Sequence, residues 1–183
     1  TKRLMEYQAE FLANMDAIGH MDLLLAKARL AQRNHCVRPA LSADGSLVLR
    51  GLRHPQVEAD LAKRGGEFTT LALELRGGCT VVTGANMGGK SVARKTIALN
   101  VLLTHCGFFP FAKRASCPLF DHMHIVSEDL ESIYRGLSSF GGEIVRFNQV
   151  MRQLSDGFAF ILLDEFARGT NPDEGAAIVQ AVT

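Results

Sequence analysis

Thr83-Gly84-Ala85-Asn86-Met87-Gly88-Gly89-Lys90-Ser91 is the stretch on which the fold turns. It satisfies the phosphate-loop pattern G-x-x-x-x-G-K-[ST], with Gly84, Gly89, Lys90 and Ser91 in the fixed places. The flanks agree with it. Cys79-Thr80-Val81-Val82 is a short β-branched run that predicts a buried strand. After the loop, Ala93, Ile97, Ala98, Val101 and Leu102 recur at helical spacing as far as Cys106. Backbone N–H groups can wrap a polyphosphate only where side chains stay clear, so glycines belong at the close approaches. The helix that follows points its free N–H groups and positive dipole end at the phosphates. Lys90 supplies a mobile charge for the β- and γ-phosphates, and the Ser91 hydroxyl can ligate Mg²⁺. A nucleoside triphosphate with Mg²⁺ is therefore the expected ligand, held by Gly84, Ala85, Asn86, Met87, Gly88, Gly89, Lys90, Ser91 and Val92.

Roughly 75 residues further on, Phe158-Ala159-Phe160-Ile161-Leu162-Leu163 runs apolar into Asp164-Glu165. A strand apolar on both faces belongs inside a parallel sheet, where ligands gather at the strands' carboxyl ends. Asp164 is then the expected Mg²⁺-shell carboxylate, and Glu165 the group that polarises the attacking water. Lys90 and Glu165 are the expected catalytic pair, with Ser91 and Asp164 on the metal.

These residues resemble the ATPase domain of the MutS family of DNA mismatch-repair proteins. The Asn86-Met87-Gly88-Gly89-Lys90-Ser91 core carries most of the likeness, together with Asp164-Glu165-Phe166-Ala167-Arg168-Gly169-Thr170, Arg53-His54-Pro55 with Glu58, and Ser138-Ser139-Phe140. The resemblance makes the expected nucleotide ATP and implies a homodimer formed through the ATPase face, with Ser139 reaching the partner's γ-phosphate. It implies DNA as the partner of the whole protein. Ala85, Val92, Phe166-Ala167 and Asn171-Pro172 depart from the family's usual residues without removing a phosphate or metal group. Divergent relatives of this kind keep a second reading open: an ATP-driven protein-remodelling or reactivating factor with a protein client and no DNA. The family also carries further strands and a switch histidine beyond the Asp-Glu pair, so the sequence reads as a fragment of a longer ATPase.

The expected fold is α/β, a P-loop NTPase of the ABC-like type with a mainly parallel sheet flanked by helices. A helical segment over residues 1–38 precedes an ATPase domain over 39–183, truncated at its C-terminal side. The 183 residues suffice for one such domain with a real core. With 47% apolar residues and no apolar run of membrane-spanning length, the chain reads as soluble and cytoplasmic. Cys36, Cys79, Cys106 and Cys117 have no C-x-x-C spacing and read as reduced thiols.

A net charge of +1 and the lack of a basic stripe along the sequence predict weak DNA binding by the ATPase portion itself. Residues 1–34 predict a helix with one broad apolar face, weakened or broken at Gly19. Ser42-Ala43-Asp44-Gly45 predicts a turn, Leu47 to Arg50 and Phe68 to Leu75 predict strands, and Lys63 to Gly66 a loop. Arg53-His54-Pro55 is read as a structural brace. His122 and His124, on one face of a strand over Phe120–Val126, are read as a surface pair, and the Phe108–Phe111 cluster as core packing. The helix after Ser139 should turn Ile144, Val145, Phe147, Val150, Met151 and Leu154 inward.

Overall fold

The strand β2 (Leu47–Leu52) is the element against which the rest packs. The computed structural model describes residues 7–84, 89–126, 139–154, 156–163 and 180, with the side chains of Ser139, Phe140, Gly141 and Glu143 excluded. Leu47, Leu49 and Leu52 of β2 are 2%, 1% and 0% exposed. Strict alternation would put position 51 on the core face. A register shift between Arg50 and Leu52 inserts Gly51 and returns Leu52 to the interior.

On one side β2 pairs antiparallel with β3 (Leu71–Leu75), with Leu47 opposite Leu75 and Leu49 opposite Leu73. On the other it pairs antiparallel with β4 (Arg114–Cys117), with Leu49 opposite Ala115. A two-residue strand β1 (Ala40–Leu41) runs parallel to β4, giving the order β1-β4-β2-β3. Leu47, Leu49, Leu52, Ala115 and Cys117 form the core with Ala112 and with Val101 of the helix α3 (Lys90–His105). Burying each of these leucines is worth about 1.5–3 kcal/mol, so β2 alone supplies a large part of the stability available to such a core.

A second sheet holds β5 (His122–Val126) and β6 (Ala159–Leu163), parallel and in register from His122–Ala159 to Val126–Leu163. Asp121 ties their entering ends, accepting from Phe158 N at 3.0 Å and donating to Phe158 O at 2.8 Å. Phe120, Met123 and Phe160 pack on the four-stranded core. The helix α4 (Ser139–Gln153) lies against β5, with Val150 buried, while Val145 and Met151 stand exposed instead of facing inward.

The architecture is mixed α/β, and it corrects the expected mainly parallel sheet. Among the described strands, only the β1–β4 and β5–β6 pairs are parallel. The strand expected over Cys79–Val82 is not formed: Val81 and Val82 are 63% and 52% exposed and in no ladder. A β-branched run becomes a strand only where an edge pairs with it and a layer covers it, and neither meets this one. The β6 strand is half-buried with Ala159 exposed, so it lacks the two covered faces expected of it. Strands β3, β5 and β6 each begin one to three residues later than the apolar pattern suggests.

The first helix, α1 (Gln8–Arg33), runs 26 residues without a break. Gly19 costs about 1 kcal/mol against alanine, too little to interrupt a run rich in Ala, Leu and Met. None of its residues is buried, and its apolar side chains stand in the open. Among the described residues, only its C-terminal part is tied down: Lys27 Nζ donates to Cys106 O at 2.9 Å and lies 4.5 Å from the Phe108 ring centre. The short helix α2 (Pro55–Lys63) was not expected, although its signals are in the sequence. Pro55 takes the first helical position, His54 caps it by accepting from Val57 N, and Glu58 and Lys63 complement the dipole. The chain leaves it through Arg64 to Gly66, the expected loop.

Candidate nucleotide-binding site

Helix α3 begins at Lys90 directly behind the glycine turn. Gly89, its N-cap, has φ 81°, and Gly84 has φ 153°, conformations that side chains other than glycine's rarely adopt. Among the described residues, no neighbour crowds either glycine. A Cβ at Gly89 would meet nothing within 4 Å, and one at Gly84 would come no nearer than 3.8 Å to Lys90 Cδ. The backbone angles by themselves already favour glycine at both positions.

The Gly89 carbonyl closes the first helical bond, accepting from Ala93 N at 2.8 Å. No side chain caps the N-terminus and no acid lies in the first turn. The helix end thus presents free N–H groups beside the Lys90 ammonium and the Ser91 hydroxyl. Lys90 Nζ donates to Gly84 O, reaching back across the loop from one end to the other. Ser91 Oγ accepts from Arg94 Nη2 at 3.1 Å. Val92 follows, half-buried, its carbonyl accepting from Thr96 Oγ1 at 2.6 Å. N–H donors, one ammonium and one hydroxyl form a donor set suited to a polyphosphate and its hard cation.

The structure thus brings Gly84, Gly89, Lys90, Ser91 and Val92 together. Ala85, Asn86, Met87, Gly88, Asp164 and Glu165 lie outside the described residues, as does the Ser139 side chain, although Ser139 opens α4. Strand β6 ends at Leu163, the residue before Asp164, and its partner β5 is parallel, the setting expected for a strand-end carboxylate.

One residue that holds the site in place was not singled out from the sequence. Asn100, in the middle of α3, is fully buried. Its Nδ2 donates to Arg53 O at 3.1 Å and Thr96 O at 2.8 Å, and its Oδ1 accepts from Phe111 N at 2.6 Å. The available signal was an asparagine interrupting the apolar stripe between Ala98 and Val101, at a position where helix propensity favours other residues.

Arg53 is the brace that the sequence suggested. Its backbone N donates to Phe111 O at 2.8 Å, Nη1 meets Glu58 at 3.4 Å, and Nη2 donates to Asn34 O beyond the end of α1. His54 is spent on its capping role. The rings of His122 and His124 stack at 6.4 Å, and among the described residues no three His, Cys, Asp or Glu side chains form a metal-binding group. The phenylalanine cluster divides: Phe111 is buried, while Phe109 is 41% exposed. Cys117 is buried, which pushes its thiol up to about 11, and burial also raises Cys36 against the lowering influence of Arg53.

An uncapped helix end behind a glycine turn, carrying lysine and serine at its first two positions, has the build of a P-loop nucleotide-binding domain. Comparison with known proteins supplies the family. Residues 80–183 match the model for MutS domain V, and the chain belongs to the MutS family, of which this is the ATPase domain. It is similar to the Endonuclease MutS2 of Levilactobacillus brevis, at 35% identity over 100% of this chain and 23% of that protein. It is also similar to the Endonuclease MutS2 of Geobacillus kaustophilus, at 35% identity over 92% of this chain and 21% of that one. The Putative endonuclease MutS2 of Bacillus subtilis is 30% identical over 100% of the chain and 23% of its own length. The chain spans about a quarter of these relatives' length. Among the described residues no helix is long and apolar enough to cross a membrane.

Proposed function

We propose that this chain is the ATP-binding and ATP-hydrolysing part of a cytoplasmic, MutS-like protein that acts on DNA as a dimer. The observation that carries the reading is the placement of Lys90 and Ser91 at the bare N-terminus of α3, behind Gly84 and Gly89, in a chain that matches domain V. Loop N–H groups and Lys90 would hold the β- and γ-phosphates, and Ser91 with Asp164 would hold Mg²⁺, which neutralises charge on the phosphates. Glu165 would orient a water in line with the γ-phosphorus and take its proton as the bond to the bridging oxygen breaks. Ser139 would reach the partner's γ-phosphate.

The relatives' names favour DNA over a protein client, because an endonuclease acts on nucleic acid. Those names specify cleavage rather than mismatch recognition, so the mismatch-repair version is the narrower form of the proposal. The test is an ATPase assay on the full-length protein with homoduplex, mismatched duplex and no DNA, across a salt series. DNA should change the rate, and less so as salt rises. A protein that hydrolyses ATP at one rate under all three conditions would refute the DNA reading and return the remodelling alternative.

A further inference from the structure

We infer that the outer face of the four-stranded sheet is a contact surface for the phosphate backbone of duplex DNA, an inference that rests on the DNA reading above. The core-facing residues of β2, β3 and β4 are apolar; the opposite face carries Val48, Arg50, Ala72, Glu74, Arg114 and Ser116. Arg50 and Arg114 lie directly opposite one another on adjacent strands. Like charges so placed repel, which costs stability unless an anion lies between or over them. Glu74 on β3 bonds Arg50 at 3.3 Å and is shared with Arg76 at 3.1 Å. Arg114 has no ion pair among the described residues, and Lys113 beside it is likewise exposed and unpaired. Asp44, in the turn entering β2, is occupied by Ser42 and Ser46.

Among the described residues, Arg50, Arg76 and Arg114 therefore meet one carboxylate on this face, with the exposed Lys113 at its margin just before β4, in a chain whose net charge is only +1. The cations come from residues 50, 76, 113 and 114, so the linear sequence showed no basic stripe, and strand pairing assembles one. The chemistry of the face selects its partner. Strands about 4.8 Å apart spread the charges over some 10–15 Å, the length of about three phosphates along one DNA strand. The residues between the cations are small, and none is aromatic. With no ring to stack on a base, the face suits a paired duplex held by its phosphates, independent of sequence, and not an unstacked single strand.

The experiment measures affinity of the full-length protein for a labelled duplex at several salt concentrations. Each cation on a phosphate contributes about 0.9 to the slope of log affinity against log salt. Lys113→Ala with Arg114→Ala should lower the slope by about two, whereas the same charge loss at the end of α2, Lys63→Ala with Arg64→Ala, should leave it unchanged. Glu74→Gln, which releases Arg50 and Arg76 from their shared carboxylate, should tighten binding. All these side chains are exposed, so the variants should fold, and an unshifted thermal melt checks it. Wild-type binding with equal slopes in both double variants would overturn the proposed face while leaving the DNA reading intact. A wild-type protein that binds no duplex at low salt, and whose ATPase ignores DNA, would overturn both.

Discussion

Replacing Asn100 by alanine should loosen the join between the nucleotide-site helix and the four-stranded sheet, and the structure gives the size of the effect. The side chain is fully buried and makes three hydrogen bonds, to Arg53 O, Thr96 O and Phe111 N. Thr96 O keeps its helical partner after the substitution. Arg53 O and Phe111 N–H are left without one. A buried polar group stripped of its partner costs about 1–3 kcal/mol, so two of them cost about 4 kcal/mol. At 1.36 kcal/mol per decade, that is roughly a thousandfold change in a local opening equilibrium. Hydrogen exchange followed by mass spectrometry on the full-length protein reads it at the peptide containing Phe111, whose amide should exchange about a thousandfold faster. Thr96→Val is the control: it removes one equally buried hydroxyl bonded to Val92 O without orphaning a group, and should change exchange by less than tenfold. Exchange at Phe111 within tenfold of wild type in Asn100→Ala would refute the reasoning, because even the lower end of the estimate is larger.

At the site itself, Lys90→Ala should remove most ATP affinity by taking away the ammonium at the loop; wild-type affinity by calorimetry would sink the phosphate-loop assignment. Glu165→Gln should keep ATP binding but slow turnover by roughly 10²–10⁴-fold in the full-length protein, whereas unchanged turnover would make Glu165 a mere strand-end acid. Cys117, held up to about 11, should stay unmodified by thiol reagents near pH 8 while the exposed Cys79 and Cys106 react, as mass spectrometry of labelled peptides would show. The same shift has a sign for stability. The folded thiol keeps its proton where an unfolded one near 9 loses it, so this contribution is complete below about pH 9 and is lost as pH climbs towards 11. Cys117→Ala should flatten that part of the pH–stability curve.

Local signals were legible and remote ones were not. The glycine turn with Lys90 and Ser91, the helix behind it, the Ser42–Gly45 turn and the strand at Leu47 are all written in residues a few positions apart, where spacing determines the outcome. The helical character of α1 was legible too, but its continuity was not, because the break allowed at Gly19 does not occur. The partners of β2 were not. Leu49 faces Leu73 on one side and Ala115 on the other, pairings that span 24 and 66 positions and leave no mark in a local pattern. The helix α2 is a different case: its cap, its Pro55 and its charged ends were present, but they stood inside a motif already read as a brace. Cys79–Val82 shows the converse, since strand propensity without an edge to pair with yields no strand. For the site, the loop identified its own ends, whereas Asn100 and the Arg50–Arg114 pair became visible only once distant segments were placed side by side.

That arrangement bears on how a nucleotide site could act on the rest of a longer protein. The helix that starts at Lys90 is bonded near its middle, through Asn100, to the backbone of Arg53 and Phe111. Arg53 in turn donates to Asn34 at the end of α1 and pairs with Glu58 of α2. Just past the other end of α3, the Cys106 carbonyl accepts from Lys27, two turns back along α1 from Asn34. His105 strengthens this end: its Nε2 accepts from Phe120 N at 3.0 Å, which leaves Nδ1 to donate to Val101 O at 3.0 Å and ties α3 to the approach of β5. A shift of α3 along its axis must therefore either carry the last turns of α1 with it or break several bonds together. Among the described residues, nothing buries the rest of α1, whose apolar side chains stand exposed along a rod held near one end. A displacement of an ångström at the loop would grow in proportion to distance along such a rod, about 1.5 Å of length per residue over 26 residues. The helix tied to the far end of α3 through Lys27 is thus also one that buries none of its own residues.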